Sequence, residues 1–276
     1  MTTNTYLNYD QIAGDYNQRY PTSQHWERGE ALLALASRYK DGYFLEAGSG
    51  TGYWLNLLHQ VTPNLFGLDY SLGMIQQAKG QYASLNLSRG SAVQLPYRDN
   101  SFDLLYSVDA VHHFGNHRAF VSEAFRVLKP GGAFTTIGHD PHEGTTNWYV
   151  YDYFDNVFET DLRRYPSGYS LRKWMEENGF EDISSRTVEH IQNVHVGVGI
   201  LRDPFLKQNA TSQLALLSKD VYDAGVERIK LAIANAEKNS QTVVFSSDIQ
   251  VKMFLGYKSD QAGSAGGLHD KTIGTS

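Results

Sequence analysis

Glu46, Gly48, Gly50 and Gly52 alternate along the segment Phe-Leu-Glu-Ala-Gly-Ser-Gly-Thr-Gly at residues 44–52. Glycine lets a backbone turn this tightly while a ligand comes to van der Waals distance. A helical pattern follows from Tyr53. Open amides at the start of such a helix favour a negatively charged ligand group. The segment is therefore a strand–loop–helix cradle for a nucleotide-like ligand.

The frame separates two ligand classes. A dinucleotide fingerprint wants G-x-G-x-x-G, its third glycine permitting close helix–strand packing. Tyr53 occupies that place, and the third glycine comes one residue early. Beside a pyrophosphate Glu46 adds like-charge repulsion; beside an amino-acid ammonium it is a partner. S-adenosylmethionine carries that ammonium, and a carboxylate for the helix amides. The spacing favours it over NAD.

Elements that position such a loop are legible around it. Apolar runs near residues 43–47, 65–69, 87–92, 102–108 and 132–139 alternate with helical patterns, the signature of a parallel sheet covered on both faces. A helix over about 117–128 stops at Pro130-Gly131-Gly132, and another spans 170–178, with Ser170 as N-cap and Gly179 after it. The β-prone runs 242–245 and 251–257 suggest a closing strand or hairpin. Two stretches break the alternation: an aromatic segment at 142–168, and an insertion at 191–240 with a helical pattern from Thr211 to Glu237. Both follow strand ends, where a doubly wound sheet places its ligand crevice. Extra core packing and a substrate cap both remain open for them. The expected organisation is an N-terminal helical lid at 1–40, a core at 41–190, a helical cap insertion at 191–240, a closing element at 241–258 and a Gly/Ser-rich flexible tail at 259–276.

Four further signals accompany the loop: Gly67-Leu68-Asp69-Tyr70-Ser71 with Met74; Leu95-Pro96-Tyr97 before Asp99-Asn100-Ser101-Phe102-Asp103; Arg126-Val127-Leu128-Lys129-Pro130-Gly131-Gly132; and Tyr-Asp-x-Ile-Ala-x-x-Tyr from Tyr9 to Tyr16. In this order the chain resembles class I S-adenosylmethionine-dependent methyltransferases, particularly the small-molecule branch, over about residues 5–185. The resemblance implies an α/β, Rossmann-like, doubly wound seven-stranded sheet. It is mostly parallel with an antiparallel last strand, and has helices on both faces. It also implies roles. Glu46, Gly48, Gly50 and Gly52 meet the methionine end of S-adenosyl-L-methionine, which leaves as S-adenosyl-L-homocysteine. Asp69 accepts from the ribose hydroxyls, a carboxylate offering acceptors on two oxygens. Tyr70 and Met74 pack on the adenine, Ser107 lies beside the methionyl portion, and Tyr16 closes over the cofactor. Relatives often carry an aspartate before the Leu-Pro segment; here Gly90-Ser91-Ala92 stands there, leaving Ser91 and Ala92 at the adenine.

Methyl transfer from a sulfonium is an in-line displacement that requires alignment and, for a protonated acceptor, removal of a proton. Histidine titrates near neutrality, so His112, His113 and His139 are the candidate bases, with packing and loop capping as the alternative for the first two and a substrate-wall role as the alternative for His139. His142, Trp148, Tyr149 and Tyr153 are candidate substrate-wall residues, since aromatic faces hold flat, apolar or cationic ligands. His139, Asp140, His142 and Glu143 have metal-ligand chemistry at a spacing that fits no zinc pattern, so no metal is expected.

A charge of −6 and the lack of a basic cluster argue against a nucleic-acid partner. The absence of cysteine excludes disulfides and thiolate metal sites. No apolar run reaches the length of a membrane span, and the start of the chain lacks a signal-peptide pattern. The expectation is a cytoplasmic monomer or homodimer acting on a small lipophilic or aromatic methyl acceptor through N, O or C, as in specialised metabolism. The alternatives are a non-catalytic S-adenosylmethionine-binding partner protein and, third, an NAD-dependent oxidoreductase.

Overall fold

The computed structural model describes residues 7–11 and 27–259. Tyr16, most of the expected lid and the tail beyond residue 259 lie outside the described residues.

Strands β1 (Phe44–Ala47), β2 (Leu65–Asp69), β3 (Asn86–Arg89), β4 (Phe102–Val108) and β5 (Leu128–His139) are parallel, in the order β3-β2-β1-β4-β5. The last strand, β8 (Val244–Lys258), runs antiparallel beside β5. β7 (Phe180–Val196) runs antiparallel on the far side of β8. A two-residue β6 (Asn147–Trp148) extends the β5 edge against β8. The expected architecture is thus present, with seven strands of four residues or more.

Period-two alternation splits the core into two layers. Phe44, Leu104, Tyr106 and Val108 face the first with helices α1 (Glu27–Ala36) and α2 (Tyr53–Leu58), which contribute Leu32, Leu35, Trp54, Leu55 and Leu58. Leu45, Ala47 and Leu105 face the second, under α4 (His117–Val127) and α7 (Gly168–Asn178). Between these, α3 (Leu72–Gln81) follows β2 with Ser71 as its N-cap. α4 begins with the Asn116 side chain accepting from the Ala119 amide and ends one residue before the expected position. Ser167 rather than Ser170 caps α7, and Gly179 ends it at φ 90°.

The terminal strands differ in part from the sequence expectation. β8 is one continuous strand, one of the two expected forms, but β7 continues to Val196, six residues into the expected insertion. Beyond His139, the end of β5, these two strands project as a ribbon that also pairs with β6. On it sits a third hydrophobic cluster. Tyr149 and Val150 of α5 (Tyr149–Tyr153), Phe154, and Val157 of α6 (Val157–Arg164) pack with Ile200, Leu206, Leu214, Phe245, and Ile229 and Ile233 of α9 (Lys219–Lys238). Leu214 belongs to the short α8 (Ser212–Ala215). The aromatic segment and the insertion therefore share one hydrophobic cluster, called the cap below. Gly225 lets α9 approach closely, since an added Cβ would lie 2.2 Å from the Phe154 ring. Among the described residues no helix is long and apolar enough to cross a membrane.

Candidate active site

A cavity of about 730 Å³ opens at the carboxyl ends of the parallel strands, the position where open α/β sheets bind ligands. Gly48 and Gly50 after β1, Asp69 at the end of β2, Ser91 and Ala92 after β3, and Asp109 and Ala110 after β4 form its walls. Gly50 has φ 51°, and a Cβ there would meet nothing within 4 Å, so the loop leaves open space on the cavity side. Gly48 has φ 74°, and a Cβ would lie 2.5 Å from that of Ala110. Gly52 is also left-handed but lies off the wall, where its missing Cβ admits Leu85. Tyr70 and Met74 reach the cavity as well, one largely exposed and the other buried.

Asp69 is held by two backbone amides. Its Oδ2 accepts from Gly50 at 2.7 Å and its Oδ1 from Ser71 at 2.8 Å. Burial nevertheless pushes its carboxyl above the usual range. Asp10 accepts from the Ser71 hydroxyl at 2.6 Å and the Gly73 amide at 2.8 Å, tying the N-terminal segment to the start of α3. These bonds hold its carboxyl below the ordinary value. They also bring Tyr9 over the cavity, with its hydroxyl 2.5 Å from Nε2 of His113.

Besides Gly52, two expected cofactor contacts are absent from this cavity. Glu46 lies inside β1 and is fully buried within the sheet layers, where Tyr106 donates to it at 3.3 Å. Burial drives its carboxyl well above the ordinary range. Ser107 is also fully buried, one residue short of the wall formed by Val108 and Asp109.

A smaller cavity, about 190 Å³, lies between the sheet ends and the cap. Tyr9, Trp54, His112, His139, Trp148 and Tyr165 line it together with insertion residues including Asp203, Phe205 and 210–213. It shares Tyr9 and Asp109 with the larger cavity. The histidines divide between the two: His113 faces the larger cavity, and His112 and His139 the smaller. The His112 ring stacks on Tyr165 with centroids 4.1 Å apart. Behind this wall a polar network joins core to cap. Arg164 pairs with Asp161 at 3.3 Å and reaches Ser212 at 3.1 Å. Asp161 accepts from Tyr151 and Gln213, each at 2.9 Å, and the Tyr151 hydroxyl lies 3.2 Å from Nε2 of His139.

Three substrate-wall candidates lie elsewhere. Tyr149 is buried in the cap and donates to Asp203 at 2.8 Å, and Tyr153 packs on Phe245. Helical periodicity turns both toward the cap's own core. His142 is exposed, with Nε2 2.9 Å from the Tyr165 carbonyl. Trp148 alone of the four lines the smaller cavity. His139, Asp140, His142 and Glu143 form no metal cluster; among the described residues no group of three such side chains does.

Asp109, Asp10 and Arg28 escaped the sequence reading. Arg28 is buried and donates to Glu189 at 2.6 Å and to Asp109 at 2.5 Å. Asp109 carries a left-handed φ of 51°, uncommon outside glycine. An Asp one residue past the expected strand end at 108 was the available signal.

The buried imidazoles make acid tolerance testable. Burial lowers His139 to about 4 and His112 well below its ordinary value. The unfolded chain binds a proton on each near pH 6.5, so folded stability falls as pH drops from there toward 4. Asp161, raised to about 6 by burial despite Arg164, acts in the opposite sense below pH 6. We therefore expect His139→Gln to lose less stability than the parent between pH 6.5 and 4.5 in urea melts. Parallel losses in the two proteins would refute the assignment.

A strand–glycine loop–helix cradle at the mouth of this sheet defines a Rossmann-like ligand-binding α/β protein. Residues 45–136 match the model of the methyltransferase domain. A probable S-adenosylmethionine-dependent methyltransferase of Mycolicibacterium smegmatis is 36% identical over 40% of this chain and 44% of its own length. A malonyl-[acyl-carrier protein] O-methyltransferase of Salmonella typhimurium is 35% identical over 47% of this chain and 51% of its own. The matches thus span about half the length of these curated relatives. A crystal structure of a putative methyltransferase from an antibiotic biosynthesis pathway of Anabaena variabilis shares the fold, with a TM-score of 0.63 at 22% identity, covering 83% of this chain and 96% of that one. Over this domain the chain is similar to S-adenosylmethionine-dependent methyltransferases.

Proposed function

We propose that the protein transfers a methyl group from S-adenosylmethionine, bound in the larger cavity, to a small acceptor in the smaller one. The observation that carries this reading is their junction: the two cavities share Tyr9 and Asp109, so molecules filling them meet there. The larger cavity suits the cofactor. Gly50 leaves backbone-lined space on its wall, Asp69 supplies a carboxylate beside it, and Tyr70, Met74, Ser91 and Ala92 form a mixed aromatic, apolar and polar face.

The cofactor supplies an electrophilic methyl on a sulfonium whose loss needs no acid. The protein's part is placement. Asp69 accepts from the ribose hydroxyls, Ser91 from the adenine edge, and the Gly48–Gly50 loop receives the amino-acid end. Tyr9, anchored through Asp10, covers the reacting face, and the cap excludes water from the acceptor. His112 and His139 stay neutral at physiological pH because burial depresses them. They position the acceptor as hydrogen-bonding partners, and no strong general base is needed for an acceptor with a free lone pair. The acceptor itself is a small lipophilic or aromatic metabolite, of the kind specialised metabolism supplies.

Calorimetry with S-adenosylhomocysteine and with NAD tests the cofactor, and labelled S-adenosylmethionine with a panel of small acceptors tests turnover. The expected result is binding of the first ligand only, and label transfer. NAD binding alone would overturn the assignment. Cofactor binding with no transfer across the panel would favour a non-catalytic partner protein.

A further inference from the structure

We propose that the acceptor is a small amine, whose nitrogen docks on Asp109 at the junction of the two cavities. This rests on the smaller cavity being the acceptor site. Its described walls combine aromatic faces with carboxylates and offer no uncommitted cation. Tyr9, Trp54, Trp148, Tyr165 and Phe205 surround the space. Aromatic faces attract alkylammonium groups through their quadrupole.

Charge points the same way. Arg28 is the one lysine or arginine on the described wall, and it is already engaged by two carboxylates, Asp109 and Glu189. Asp203 is the second carboxylate on this wall, already accepting from Tyr149 and the Phe205 amide and 3.4 Å from Nε2 of His195. Arg164 and Asp161, behind the wall, compensate each other. A carboxylate or phosphate acceptor would thus meet repulsion, whereas an ammonium meets attraction. Asp109 is the group placed to receive it. Arg28 takes its Oδ2, while Oδ1 accepts no hydrogen bond among the described residues, and the side chain is 34% exposed. Its left-handed backbone is the kind of strain that collects at ligand sites.

The reaction retains positive charge beside this carboxylate. An ammonium must first release a proton to water. The neutral nitrogen's lone pair then forms the N–C bond as the C–S bond breaks, its electron pair staying on sulfur. Positive charge passes from sulfur to nitrogen, and where the acceptor was a primary or secondary amine the product sheds a proton to water. An alkoxide or phenolate acceptor would instead annihilate charge there.

The test is calorimetry on the protein saturated with S-adenosylhomocysteine, using alkyl and arylalkyl amines, each beside its alcohol and carboxylate counterpart. Phenethylamine, 2-phenylethanol and phenylacetate form one such set. At least one amine is expected to bind tenfold or more tighter than its alcohol, with the carboxylate weakest, and Asp109→Asn should abolish the preference. Equal binding of amine and alcohol across all sets in the unmutated protein would overturn the proposal. So would a preference that survives Asp109→Asn, or Asp109→Asn weakening S-adenosylhomocysteine instead, which would assign Asp109 to the cofactor's own ammonium. Failure of the parent protein to bind S-adenosylhomocysteine would instead refute the methyltransferase reading.

Discussion

Arg164→Met should destabilise the protein by about 3–5 kcal/mol, the cost of leaving a buried charge without its partner. Arg164 and Asp161 are 2% and 0% exposed in their side chains, so water cannot replace the lost guanidinium. Burial already raises Asp161 to about 6, and removing Arg164 would raise it further, because the cation is what opposes the shift. The damage should concentrate in the cap. Asp161 also holds Tyr151 and Gln213, while Arg164 reaches Ser212 of the insertion. Hydrogen exchange should therefore show α6, α8 and the 200–210 segment opening before the sheet. The pair Arg164→Met with Asp161→Leu removes both charges and should recover much of the loss. A single Arg164→Met variant with parental stability in urea would show that the pair contributes nothing to the cap.

The core was legible because its signals are local and repeated. β1 is buried on both faces and is followed by glycines, and α4 keeps its apolar residues on one face. β7 was not legible, and its burial explains why. It is an edge strand with most residues exposed, so Ser184, Ser185, Arg186 and Thr187 break any alternation. Its identity comes from pairing with β8, far away in sequence. The cap shows the same limit in another form. Aromatic residues at 148–158 suggested a substrate wall, but composition does not say which ring faces the ligand. Trp148 faces the cavity while Tyr149, its neighbour, fills the cap core. Glu46 stands two places before the first loop glycine and is still in the strand, so its side chain obeys the sheet. Asp69 and Asp109 each stand at a strand's carboxyl end, yet only the first belongs to a recognisable motif.

Asp69→Ala should weaken S-adenosylhomocysteine binding by about 1.5–3 kcal/mol, the range for hydrogen bonds to a charged group. That is a loss of roughly ten- to more than a hundredfold in affinity. Two consequences must be separated. Asp69 also accepts from the Gly50 and Ser71 amides, so its removal loosens the glycine loop as well as the proposed ribose contact. Asp69→Asn separates these effects in part, since its single carbonyl oxygen can keep one backbone bond but no longer offers acceptors on two oxygens. If ribose recognition is the role, Asn should retain fold stability close to the parent while losing most of the affinity. The discriminating ligand is the 2′-deoxyribose analogue of S-adenosylhomocysteine. It should bind the parent more weakly than the natural ligand, yet bind Asp69→Ala about as well as the natural ligand does. If the analogue keeps its full disadvantage in Asp69→Ala, the carboxylate serves the loop, and the ribose partner is another residue.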